Sequence, residues 1–137
     1  MPVVTVQPFV LKDALFTVDT DEYQHHVSGV VFSPSSGQVT WVGITPASAF
    51  SDSETPSWSC AINYAQDWTT ANSFSAYLLA HAGETKSVEF SPLGATGPSF
   101  TADLIIVAGP IGGEVNTVQV GTVTLGVVGA PEFVPAA

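Results

Sequence analysis

The stretch Ser57-Trp58-Ser59-Cys60-Ala61-Ile62-Asn63-Tyr64-Ala65 decides the fold of this chain. Trp58, Cys60, Ile62 and Tyr64 fall on one parity, while Ser59, Ala61 and Asn63 fall on the other. A period of two places successive side chains on opposite faces of an extended backbone. The segment therefore predicts a strand with one face in a core and one small, polar face.

The same pattern extends in both directions. Strands are predicted at Leu15 to Asp19, Tyr23 to Phe32, Gln38 to Ile44, Lys86 to Phe90 and Phe100 to Ala108. Val, Thr, Phe and Ile abound and Gly and Pro punctuate the chain at short intervals, which is the pattern of short strands joined by turns. Leu104 to Val107 has no polar break, so both faces of that strand are expected to be covered. In Glu114 to Val128, Val118 and Val120 stand on even positions, whereas Val123, Leu125 and Val127 stand on odd ones. A slip of one residue flips every side chain, so Gly121 is read as a bulge or bend in one long strand; two strands around a tight turn is the alternative.

One helix is predicted over Thr70 to Ala82. Phe74, Tyr77, Leu78 and His81 recur at helical spacing, with Asp67 or Thr69 as N-cap and Gly83 as the stop. His81 on that stripe reads as a packed or hydrogen-bonded histidine rather than a ligand or base. Phe32-Ser33-Pro34-Ser35-Ser36-Gly37 echoes Phe90-Ser91-Pro92-Leu93-Gly94, and shared turn chemistry accounts for it. Thr45 to Pro56 lacks any period and is rich in Ser, Pro and acids. It reads as a long loop, either a solvated one or a functional one with Phe50 as anchor.

Charge excludes several partners. Twelve Asp and Glu stand against two Lys or Arg, for a formal net charge of −10, although only 10% of the chain is charged and 45% is hydrophobic. Nucleic-acid affinity rests on cations that neutralise phosphates and release counterions, and Lys12 and Lys86 alone do not supply them. Anionic membrane surfaces are disfavoured for the same reason. At 137 residues the chain is expected to form one domain, 1–137, with a single core. No run approaches the roughly 20 apolar residues of a membrane span, and the start lacks the features of a signal peptide.

Signals of chemistry are sparse. Cys60 reads as a buried apolar residue. His25 and His26, adjacent in a predicted strand, would point to opposite faces and so make a poor metal pair. Asp19, Asp21 and Glu22 lack the spacing of a calcium loop and read as a solvated acidic turn. Gly109-Pro110-Ile111-Gly112-Gly113 lacks the following Lys and helix of a phosphate cradle. No nucleophile, base and orienter are placed together by the pattern, so neither an enzyme nor a cofactor is expected.

The order of motifs carries more than any one of them. The alternating strand, Gln66-Asp67-Trp68, one amphipathic helix, Gly83-Glu84 and Val88-Glu89-Phe90-Ser91-Pro92 follow in sequence. Gly97-Pro98-Ser99-Phe100-Thr101, the apolar Leu104 to Val107, Ile111-Gly112-Gly113-Glu114-Val115-Asn116-Thr117 and Gly129-Ala130-Pro131-Glu132 come after them. This order resembles the major tail tube proteins of long-tailed, non-contractile bacteriophages, those of actinobacteria in particular. The likeness covers the second half of the chain strongly and the first half weakly.

The resemblance implies a mainly β fold, a tail-tube-like sandwich or barrel with one flanking helix. It implies a homo-oligomer in which hexameric rings stack into a tube, made in the host bacterial cytoplasm and residing in the virion. Tape measure, tail terminator and distal tail proteins are the partners it implies, with genomic DNA passing through unbound. By position it assigns the long loop, with Phe50, Asp52 and Glu54, to contacts between subunits or rings. Glu89 and Asp103 become candidate acids of the channel lining, with the outer surface as the alternative placement. An immunoglobulin-like decoration or adhesion domain is the competing class, since short strands and turns suit it equally; the helix after Gln66-Asp67-Trp68 argues against it.

Overall fold

The computed structural model describes residues 2–136. Nine strands and one helix follow in the order β1 (Leu15–Val18), β2 (Asp21–Glu22), β3 (Val27–Ser35), β4 (Gln38–Val42), β5 (Ala49–Ser53), β6 (Ser57–Ala65), α1 (Phe74–Ala80), β7 (Thr85–Ser91), β8 (Ser99–Ile105) and β9 (Val120–Val134). Seven strands form one antiparallel sheet in the order β2-β1-β7-β8-β9-β6-β3, and β4 and β5 form a separate hairpin. The mainly β architecture with one flanking helix agrees with the sequence expectation.

The deciding strand lies second from the edge of the sheet. Cys60, Ile62 and Tyr64 of β6 are buried, and Val123 and Leu125 of β9 and Val30 of β3 join them on the same face. Phe16, Val18, Val88, Phe90, Leu104 and Ile106 continue that core, and α1 closes it with Phe74, Tyr77 and Leu78. Each large side chain so buried contributes roughly 1.5–3 kcal/mol, which makes this one face the main source of stability.

The sheet curls over its own core. Phe32 of β3 and Phe90 of β7 stand four strands apart in the sheet order, yet their ring centroids are 6.5 Å apart. Four spacings of a flat sheet would separate them by roughly 19 Å. These are the phenylalanines that open the two echoed Ser-Pro turns. Strand β9 makes the curl possible because β6 pairs with its first part, Val120 to Gly126, and β8 with its second, Gly126 to Val134.

One long strand therefore serves two surfaces, but its irregularity is not at Gly121. The register with β8 shifts between Thr101 and Asp103, opposite Val128 and Glu132, and Gly129 there has φ +78. Gly121 pairs regularly with Tyr64. The phase slip in the sequence arises because Glu114 to Gln119 is not strand; the Gln119 amide donates to the carbonyls of Glu114 at 2.6 Å and Thr117 at 2.8 Å, tying the segment into a turn. A side chain that satisfies nearby carbonyls competes with the ladder and wins.

The helix is shorter than its apolar spacing suggests, and the reason is again local. Asp67 Oδ1 accepts from the amides of Thr69 and Thr70, holding them in a turn, and Asn72 adopts φ +60. Ser73 caps the helix instead, its hydroxyl accepting from the Ala76 amide at 3.3 Å. His81 packs on the Tyr77 ring at 4.2 Å, and its Nδ1 lies 3.0 Å from Glu84, as a hydrogen-bonded histidine should. Tyr23 to His26, expected as strand, forms a turn closed by the His26 amide on the Tyr23 carbonyl, so the two histidines are not strand neighbours.

Candidate assembly surface

The stretch Thr45 to Pro56 is not an irregular loop. Its centre is β5, which pairs with β4 in the register Gln38↔Ser53, Val39↔Asp52, Thr40↔Ser51, Trp41↔Phe50 and Val42↔Ala49. The turn between them is closed by the Gly43 amide on the Ser48 carbonyl at 2.6 Å, while Glu54 donates its amide to Gly37 at the base. No apolar period marks β5 because neither face of the hairpin is buried: every residue of β4 and β5 is exposed. Directly paired residues share a face, so Trp41, Phe50, Val39 and Asp52 form one strip. Trp41 is 65% and Phe50 60% exposed, a pair of large rings held in water on a projecting arm.

The second surface is the outer face of the sheet, opposite the core. Cross-strand pairing places Glu22, Thr17, Glu89, Thr101 and Glu132 in a single row across β2, β1, β7, β8 and β9. In the next row Ser87 pairs with Asp103, and its hydroxyl donates to the carboxylate at 2.9 Å. Thr17, Glu89, Thr101 and Glu132 of the first row, with Ser87, Asp103 and Asp19, line a groove of about 440 Å³. Glu89 and Asp103, singled out by sequence, are thus brought to one face; Glu22, Glu132 and Asp19 are companions that only the register reveals. Within the row a threonine separates each pair of glutamates, and two strand spacings keep the charges roughly 10 Å apart. At that distance their repulsion is only about 0.4 kcal/mol in water before salt screening, so the row is tolerated without counter-charges.

No lysine stands on this face among the described residues. Lys86 alternates with Ser87 and points the other way, where it lies 3.6 Å from Glu84, and Lys12 precedes β1. The face continues toward β3 as Thr122, Asn63, Ala61, Val31, Ser59 and Ser33, uncharged and mixing polar with small apolar side chains, with Thr122 donating to Asn63 at 2.7 Å.

The double cover expected for Leu104 to Val107 is absent in the single chain. Leu104 and Ile106 are buried, but Ile105 is 41% and Val107 47% exposed on the opposite phase. The strand alternates like its neighbours despite its all-apolar sequence.

The remaining chemistry is quiet. Cys60 is fully buried, and burial pushes its thiol up to about 12, far from the thiolate range needed for reactivity. Hydrogen bonds from Thr70, through its hydroxyl and amide, and from Thr69 hold the Asp67 carboxyl well below the usual range. The Glu84 carboxyl is lowered by its His81 hydrogen bond and by Lys86. Among the described residues no three His, Cys, Asp or Glu side chains converge as a metal site, and no helix is long and apolar enough to cross a membrane.

No protein-family model matches the chain, and no curated protein sequence matches it. Among solved structures it is similar to a chain in the cryo-EM structure of the anti-feeding prophage (AFP) baseplate, 6-fold symmetrised. The TM-score is 0.53 and the sequence identity 13%, over 96% of this chain and 98% of that one. At that identity the likeness is one of fold, and it extends over almost the whole of both chains.

Proposed function

We propose that this chain is a non-enzymatic structural protein of a phage-type tail, a virion component that assembles as hexameric rings stacked into a hollow tube. The observation that carries the reading is the outer sheet face: five acids, Ser and Thr between them, and no cation. Such a surface turned toward a channel repels the phosphate backbone and gives it no site at which to release counterions. DNA then slides without sticking, and weak contact is the function. The fold shared with a chain of a 6-fold symmetrised prophage baseplate supports membership in an assembly of this type.

The hairpin supplies the other half of the proposal. Subunits of charge −10 repel one another, so they join through uncharged surfaces. Trp41 and Phe50 on a projecting arm, exposed in the single chain, offer such a surface. Tape measure, terminator and distal tail proteins are the partners this role requires at the bore and ends of the tube.

Negative-stain electron microscopy of the purified protein, at high concentration and moderate salt, tests the reading. Rings or tubes around a hollow centre are expected, more abundant as salt screens the repulsion. Monomers that persist at every concentration and salt, and that bind a glycan or capsid surface as such, would replace it with a decoration or adhesion role.

A further inference from the structure

The strip on the β4–β5 hairpin ends in an acid. Asp52 shares the face of Val39, Trp41 and Phe50, and Glu54 follows at the hairpin base. The hairpin, Gln38 to Ser53, contains no cation. Any surface that receives it must bury apolar rings and also answer a negative charge.

The chain offers few such answers. Of its two lysines, Lys86 is engaged by Glu84. Lys12 has no ion-pair partner among the described residues. It lines a groove of about 260 Å³ with Leu11, Asp13, Gln24, His25 and Val27. A smaller hollow shares Leu11, Gln24 and Val27 and runs inward to Phe16 and Phe90. The groove thus combines an apolar floor, a free ammonium and an imidazole; Asp13 is its one acid.

Position completes the match. The groove touches β3 at its first residue, Val27, and the hairpin leaves β3 beyond its last, Ser35. Arm and groove lie at opposite ends of one nine-residue strand, roughly 30 Å apart. Unlike patches at opposite ends make a head-to-tail contact, which repeats from copy to copy and closes into a ring or continues as a stack.

We infer that the hairpin of one copy seats in the Lys12–His25 groove of the next, with Asp52 facing Lys12 and the Trp41–Phe50 pair over Leu11 and Val27. The inference rests on the self-assembly proposed above and names the surface that receives the arm.

The test uses the full chain carrying Lys12→Cys and Asp52→Cys together, held under a mild thiol oxidant and run on a non-reducing gel beside each single variant. A ladder of covalent oligomers is expected from the double variant and nothing beyond dimers from the singles. Rings or tubes by microscopy with no ladder would overturn the groove while leaving the tube intact. A ladder without rings would keep the groove and remove the tube, and neither ladder nor assembly would remove both. In a second measurement, Lys12→Glu raises the concentration needed for assembly by at least ~tenfold, and adding Asp52→Lys restores it. Failure of restoration in variants whose melting curves match the parent would also overturn the inference.

Discussion

The ring of Tyr64 fills the space across the strand pair from Gly121. A Cβ at position 121 would lie 2.9 Å from both Cζ and Oη of Tyr64 and 3.2 Å from Cγ of Pro110. Tyr64 itself is buried against Phe74, with ring centroids 5.1 Å apart, and cannot swing aside. The glycine in β9 is there for close packing, not for a bend.

Gly121→Ala is therefore expected to destabilise the fold by about 1–3 kcal/mol, the usual cost of overpacking a filled core. Adding Tyr64→Phe removes the clashing Oη and recovers part of that loss. Urea melts of the single and double variants measure the coupling; additive losses would show that ring and glycine do not compete for the same space.

Trp41→Ser and Phe50→Ser act on the hairpin strip. Because both side chains are exposed and stand opposite each other in the hairpin register, each change is expected to shift monomer stability by no more than about 1 kcal/mol, the range of a cross-strand pair. Assembly, followed by light scattering and microscopy, is expected to fail. Normal tubes from either variant would take the hairpin out of the contact.

Replacing Glu89, Asp103 and Glu132 with Lys reverses the charge of the outer sheet face without touching the core. The variant is expected to fold and to retard DNA in a low-salt gel shift, whereas the parent does not, with the retardation lost as salt rises. Assembled tubes built from it are expected to pass DNA more slowly. Unchanged infectivity of a phage carrying the triple variant would count against a channel role for these acids.

Asp67 makes a pH-dependent contribution. Its carboxyl is held below the ordinary carboxylate range in the folded chain, so its charged form stabilises the fold above that range, and the stability is lost as pH falls through it. The melting temperature of Asp67→Asn should lie below that of the parent near pH 7, and the gap should narrow between roughly pH 5 and pH 2. A gap independent of pH would mean that shape, not charge, holds the Thr69–Thr70 turn.

Cys60 offers a direct probe of the core. With its thiol pushed up to about 12 by burial, a thiol reagent at pH 8 is expected to label it only as the chain unfolds, at a rate that follows global opening. Rapid labelling under native conditions would place β6 outside the stable core.

Much of this architecture is present in the order of residues alone. The alternation of Trp58, Cys60, Ile62 and Tyr64 determined β6 to the residue, since burial of one parity leaves a strand no other register. The apolar spacing of Phe74, Tyr77 and Leu78 determined that a helix closes the core, and the count of acids over lysines determined what the surface repels. Tertiary structure decided the rest. The start of α1 was settled by Asn72, whose φ of +60 interrupts helical backbone, and by Ser73, whose hydroxyl caps the Ala76 amide. Thr45 to Pro56 showed no period because β5 buries neither face, so backbone pairing with β4 alone makes it a strand. The gathering of Glu22, Glu89, Glu132, Asp19 and Asp103 on one face depends on which strands are neighbours and in what register, and such contacts join residues up to 110 positions apart in the row from Glu22 to Glu132. Local patterns encode which side of a strand is apolar; only the folded sheet determines which charges share its other side.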